Sequence, residues 1–167
     1  EAYKGALDNL QSVRSDLAII YGSANSPTSF RESVGPVFFE LADLLLQKAS
    51  QITNLDRQTE LLLEARDTVE TLKMAELSNY FQDDCVYMVK DKAKDISQLS
   101  GTACIVYIVP LNDRVELLLS LPSGIRREMV KVSSTDLMDQ ARQFRYHVER
   151  RTTYFYKDHA KKLYEWL

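Results

Sequence analysis

The apolar residues of this chain keep a helical period up to about residue 94 and an extended one after it, and that change constrains the fold more than any single motif. In the first stretch Ala6, Leu10, Val13, Leu17 and Ile20 recur at i, i+4, i+7, i+11 and i+14, which lays one stripe along a helix ending near Gly22. Residues 23–29 (Ser-Ala-Asn-Ser-Pro-Thr-Ser) read as a turn, since short polar side chains and proline compete with helical hydrogen bonds. Ser29-x-x-Glu32 is a capping box for a second helix, in which Gly35-Pro36 predicts either a restart at Ser33 or a bend before residues 37–48. Asn54 then caps a third helix with Leu62, Ala65, Val69 and Leu72 as its stripe, running to about Tyr80-Phe81. Three such helices in series must pack on one another.

Beyond residue 94, residues 102–109 (Thr-Ala-Cys-Ile-Val-Tyr-Ile-Val) form a β-branched, aromatic run closed by Pro110, and Asn112-Asp113 supplies a turn before residues 115–121. The two runs predict an antiparallel hairpin. After a turn at Leu121-Pro-Ser-Gly124, residues 127–132 predict a third strand. Ser133-x-x-Asp136 opens a helix with the stripe Leu137, Ala141, Phe144 and Val148, and residues 158–167 a last short one. The expected fold is therefore α+β, with a bundle of long helices over residues 1–95 and a small antiparallel sheet covered by one or two helices over residues 96–167.

Composition removes several classes of protein. With 45% apolar and 27% charged residues in 167, the chain is neither disordered, collagen-like nor a disulfide-stapled miniature. No run approaches the roughly 20 apolar residues that a membrane-crossing helix needs. The amino end lacks the features of a secretory signal and an initiator Met, and the chain stops on Trp166-Leu167, so the segment is expected to belong to a longer reading frame. Two cysteines without Cys-x-x-Cys spacing suit a reducing compartment, and cytoplasm is the expected location. Charge is split: residues 1–124 carry −7 and residues 125–167 carry +4, giving −3 overall.

Residues able to carry chemistry are few. His147 falls at the edge of a predicted buried stripe and His159 in a polar, basic stretch, neither beside a nucleophile. Cys104 reads as an apolar filler inside a strand, and Cys85 follows Asp83-Asp84, whose negative charge disfavours a thiolate. Those three consecutive residues point in different directions, so no metal site is expected. Gly22, Gly35, Gly101 and Gly124 are isolated at element boundaries, which leaves no phosphate loop, and no cofactor is implied. Arg142, Arg145, Arg150 and Arg151 lie near Tyr146, Tyr154, Phe155 and Tyr156 as a nucleic-acid surface would require, but a solvated helix face explains them more simply in a net-acidic chain. Leu41, Leu44 and Leu45, with Val37 and Phe38, read as core.

Several stretches taken in order resemble a known family: Ser12-Val-Arg-Ser-Asp-Leu17, Phe30-Arg-Glu-Ser-Val-Gly-Pro-Val37, Leu41-x-Asp43-Leu-Leu-Leu46, Ala65-Arg-Asp67, Ala75-Glu-Leu77, Asn79-Tyr-Phe-Gln-Asp-x-Cys85, Arg114-Val-Glu-Leu-Leu-Leu-Ser-Leu-Pro122 and Leu163-Tyr-Glu-Trp-Leu167. They look like the region that precedes the peptidase core in bacterial TPR-repeat proteins carrying a CHAT domain, a caspase-like and separase-like cysteine-peptidase module. The resemblance implies tetratricopeptide-type helix pairs, then a bridging hairpin and helices, then the catalytic core. It implies a catalytic His in a His-Gly context and a later Cys. Here Val148 follows His147 and Ala160 follows His159, and neither Cys85 nor Cys104 matches a nucleophile motif, so no catalytic residue carries over. No 34-residue self-similarity is visible either, which makes the helices TPR-like or capping rather than a regular array. The expected role is non-catalytic support of the peptidase core of the same protein and contact with a protein partner or substrate. Leu163, Tyr164, Trp166 and Leu167 form the expected docking surface to that core. The alternative is a free-standing protein-interaction adaptor unrelated to proteolysis.

Overall fold

The structure is a computed structural model that describes residues 30–81, 104–151 and 154–167, together with Ala2, Tyr3, Gly5 and Asn9, which are helical. The chain divides into two compact units, Glu1–Ala103 and Cys104–Leu167. The stripe Ala6, Leu10, Val13, Leu17 and Ile20, the turn at 23–29, Ser29 of the capping box, Cys85 and the expected boundary between residues 95 and 96 lie outside the described residues.

In the first unit α1 (Phe30–Gln51) packs on α2 (Leu55–Phe81). Of the two expectations at Gly35-Pro36 the restart at Ser33 does not occur: α1 runs on through the proline. Proline inside a helix removes one hydrogen bond and crowds the preceding turn, at about 3 kcal/mol. Just beyond it Phe38, Leu41, Leu45 and Leu46 are buried, each contributing roughly 1.5–3 kcal/mol. Burial outweighs the local penalty. Leu44 departs from the expected core group and is exposed, because it lies on the far side of the stripe.

The junction to α2 follows the sequence closely. Asn54 Oδ1 accepts from the Arg57 backbone N–H at 2.9 Å, and Gln58 Nε2 donates at 3.1 Å to the Ala49 carbonyl, which also accepts from the Ile52 N–H at 3.4 Å. Leu62, Ala65, Val69 and Leu72 are all buried as their spacing predicts. The Tyr3 hydroxyl donates to Glu40 Oε2 at 2.7 Å, tying the amino-terminal segment to α1.

The second unit holds β1 (Ile105–Pro110), β2 (Val115–Leu121) and β3 (Gly124–Val130) in an antiparallel sheet of order β1-β2-β3, followed by α3 (Ser134–Arg150) and α4 (Tyr156–Trp166). Ile108 faces Leu117 and Pro110 faces Val115 in the first pair, while Leu121 faces Gly124 in the second. The α+β architecture is as expected, but three boundaries move. β1 begins at Ile105, so Cys104 precedes the strand and is exposed rather than a buried filler. β3 starts at Gly124 rather than Arg127 and ends at Val130, because the Pro122-Ser123 turn is tight enough for pairing to begin at once. Gly124 has φ 122°, a conformation that suits glycine and marks the reversal. α4 starts at Tyr156, two residues before the expected Asp158.

Ser133 caps α3, its Oγ accepting from the Asp136 N–H at 3.1 Å, and the Ser134 N–H donates to the Leu111 carbonyl at 2.9 Å, anchoring the helix start to the β1–β2 connection. α3 stops at Arg151, whose left-handed φ of 53° turns the chain back toward α4. Leu137, Leu163 and Trp166 of these helices pack with Val115, Leu117, Val130 and Val132 on one face of the sheet. The predicted stripe of α3 is buried only at its start. Ala141 and Phe144 are half-buried and Val148 is exposed, because the helix outruns the sheet beneath it.

Candidate interaction surface

The covering helices reach only part of the sheet. Side chains alternate across a strand, so Val106 and Ile108 share the helix-packed face with Leu119 and Leu117 opposite them. Yet Val106 is 49% and Ile108 39% exposed, whereas Val115 and Leu117 are buried. An apolar strip therefore remains open along β1. No described strand pairs with the outer edge of β1.

The two edges of the sheet differ in chemistry. β3 carries Arg126, Arg127 and Glu128 and leads into Lys131, charges of the kind that discourage another strand from adding. β1 reads Ile-Val-Tyr-Ile-Val before its terminal proline and has no charge at all. The pairing of β2 with β3 is held from the other face. There Glu116, with 0% exposure, accepts from Arg114 Nε at 2.7 Å and, in a bidentate pair, from Arg127 Nε at 2.7 Å and Nη2 at 2.5 Å. A one-residue slip would turn this carboxylate onto the apolar helix side, so the ion cluster fixes which face of the sheet is which.

The four expected docking residues divide. Leu163 and Trp166 turn inward onto the Val115, Leu117 and Leu137 cluster, as the amphipathic spacing of α4 requires. Tyr164, 85% exposed, and Leu167 point to solvent. The open strip on β1 belongs to residues that sequence reasoning did not select. Its signal was present in the uncharged, β-branched run, but the same run fits a central strand equally well.

Of the residues weighed for chemistry, the structure unites the two histidines. The His147 and His159 rings stack at 5.3 Å between centroids and within 8° of parallel, so His159 is not a free member of a polar stretch. Tyr146 and Phe155 meet His147 edge-on at 5.2 and 5.7 Å, and Gln140 Nε2 lies 2.6 Å from His159 Nδ1. Lone pairs lie in the ring plane, so two parallel stacked imidazoles do not converge on one ion. Among the described residues no group of three or more His, Cys, Asp and Glu side chains could hold a metal.

Beside this pair an open groove of about 490 Å³ runs past Lys131, Asp136, Asp139, Gln140, Lys162 and Trp166. It offers both signs of charge and an indole face, with the Lys162 ammonium 5.1 Å from the Trp166 ring centroid, and holds no nucleophile beside a base. Three of the four arginines weighed for nucleic acid are engaged locally. Arg142 pairs with Asp139 at 3.1 Å, Arg145 with Glu149 at 2.6 Å, and Arg150 stacks on Tyr146 at 4.2 Å. Glu149 also pushes the Arg145 pKa up through its hydrogen bond.

No family model, curated protein or solved structure matches this chain. Among the described residues no helix is long and apolar enough to cross a membrane.

Proposed function

We propose that this chain is the non-catalytic, pre-core portion of a CHAT-family cysteine peptidase, acting in the cytoplasm to support the peptidase core and to carry contacts with protein partners. The ordered stretches that resemble that family motivate the reading. The observation that supports a docking role is the uncharged apolar strip along β1, with Val106 and Ile108 exposed beside a buried core. A strand of the core adding there would cover the strip, which is how exposed sheet edges recruit partners.

The test begins with the continued reading frame. A His-Gly context and a later Cys downstream support the proposal. A frame lacking them favours a free-standing protein-interaction adaptor. In the longer protein, Val106→Lys with Ile108→Lys should lower peptidase activity at least tenfold while the isolated chain stays folded, since exposed sites tolerate charge. Undiminished activity, with β1 amides no better protected than in the isolated chain, would refute docking at this edge.

A further inference from the structure

We propose that the turn joining α3 to α4 docks on the surface of an anionic lipid bilayer, its cations meeting the headgroup phosphates and its exposed rings entering the interface. The inference is independent of any link to a peptidase.

It begins with where the uncovered rings lie. Among the described residues four large apolar side chains are more than half exposed, and three of them, Tyr154 at 77%, Phe155 at 60% and Tyr164 at 85%, belong to this turn and to α4. Because α3 outruns the sheet, the chain reverses where there is little core left to fill. Arg151 makes the reversal with its left-handed φ, and the Lys157 N–H donates to the Tyr154 carbonyl at 3.0 Å as α4 begins. Phe155 meets the His147 ring edge-on at 5.7 Å, which steadies the turn and still leaves most of the phenyl ring in solvent.

The same turn is basic. Arg150, Arg151 and Lys157 are exposed, and the sequence from Arg150 to Lys157 contains no acidic residue. On either side, Glu149 is engaged by Arg145 at 2.6 Å, and Asp158 follows in the first turn of α4, leaving residues 150–158 with a surplus of two positive charges. Charges farther away than about 8–10 Å are screened at physiological salt, so this local surplus matters more to a nearby surface than the net −3 of the chain.

The way the rings are used favours a bilayer over a nucleic acid. Bases bind single-strand readers by stacking on open aromatic faces. Here the Arg150 guanidinium lies over the Tyr146 ring at 4.2 Å and the Lys157 ammonium over the Tyr154 ring at 4.7 Å, so a cation already holds one face of each. A ring that shares its surface with a cation suits the headgroup layer, where tyrosines sit half in apolar surroundings and lysines and arginines meet phosphate. Neither signal suffices alone, and the turn supplies both. Contact of this kind is peripheral, in keeping with the absence among the described residues of a helix able to cross a membrane.

Co-sedimentation of the whole chain with vesicles tests the proposal. Retention on vesicles of equal parts phosphatidylserine and phosphatidylcholine should exceed that on phosphatidylcholine alone by about tenfold or more at low salt, and equal retention on the two would overturn the proposal. Arg151→Gln with Lys157→Gln should lower it about tenfold or more, since each cation beside an anionic surface is worth about fivefold. Arg126→Gln with Lys131→Gln removes the same charge from exposed positions on and just after β3 and should leave retention within about twofold; a loss equal to that of the first pair would reveal a general charge effect and overturn the docking site. Tyr154→Ser, at a side chain too exposed to hold the fold, should lower retention severalfold with the helical circular dichroism unchanged, and undiminished retention would overturn the entry of the ring into the interface. A single-stranded oligonucleotide bound more tightly than the anionic vesicles at equal phosphate would make the turn a nucleic-acid surface and overturn the bilayer as its partner.

Discussion

The α1–α2 pair and the sheet unit solve the same problem of burying apolar surface to different degrees of completion. Along the helix pair, Leu46, Leu61, Ala65 and Leu72 are fully buried, and the apolar residues left outside, such as Leu44 and Leu55, are scattered singly. In the sheet unit the core is smaller, and what stays outside is contiguous: Val106 and Ile108 occupy the same face of one edge strand. Single exposed apolar residues are ordinary, whereas a row of them along a strand that ends the described sheet is a feature that ordinary surfaces avoid. The interior of the helix pair is closed, whereas one face of the sheet keeps apolar surface exposed.

Four substitutions would break or sharpen that contrast. The largest effect belongs to Glu116→Ala, which removes the buried carboxylate that Arg114 and Arg127 share and leaves Arg114 with Asp113 at 2.9 Å; the expected loss is about 3–5 kcal/mol in chemical denaturation of the sheet unit. A loss below about 1 kcal/mol would mean that the ion cluster does not hold the sheet. Leu46→Ala leaves a cavity in the helix pair, and denaturation followed by helical circular dichroism should register about 2–5 kcal/mol. Comparable values would show the two units equally dependent on their interiors, one ionic and one apolar.

Ser133→Ala removes the N-cap of α3 and should cost about 1 kcal/mol, with faster amide exchange confined to the first turn of that helix. The smallest effect is electrostatic. The hydrogen bond to Glu40, reinforced by the carboxylate charge, raises the Tyr3 pKa above the ordinary phenol value. Because the neutral phenol is the favoured form, its contribution is present below that ordinary value and lost as pH rises through the elevated one. Ultraviolet absorbance should show one tyrosine ionising late, and Glu40→Gln should bring that transition back toward lower pH.

Local chemistry was readable wherever a side chain acts on its own backbone. Asn54 and Ser133 were recognisable as caps because the oxygen and the amide it receives lie within three residues. The stripe Leu62, Ala65, Val69 and Leu72 was recognisable because helical spacing alone puts those residues on one side. Pro36 left a helix restart open because the local penalty is visible in sequence and the compensating burial of Phe38 and Leu46 is not. The start of β3 was set too late because turn tightness decides where pairing resumes. The expected docking residues split because the spacing that places Leu163 and Trp166 on one face of α4 does not reveal what that face will meet.

Periodicity, caps and turn residues determined from sequence alone that this chain is α+β, where most of its elements lie, and which residues their inner faces present. Only tertiary structure decided that Glu116 lies buried between two arginines, that Val106 and Ile108 remain uncovered, and that two histidines twelve residues apart stack ring on ring. The physical reason is range. Helical spacing and capping act over a few residues, whereas burial, ion pairing and ring stacking depend on which distant side chains are brought to the same point in space.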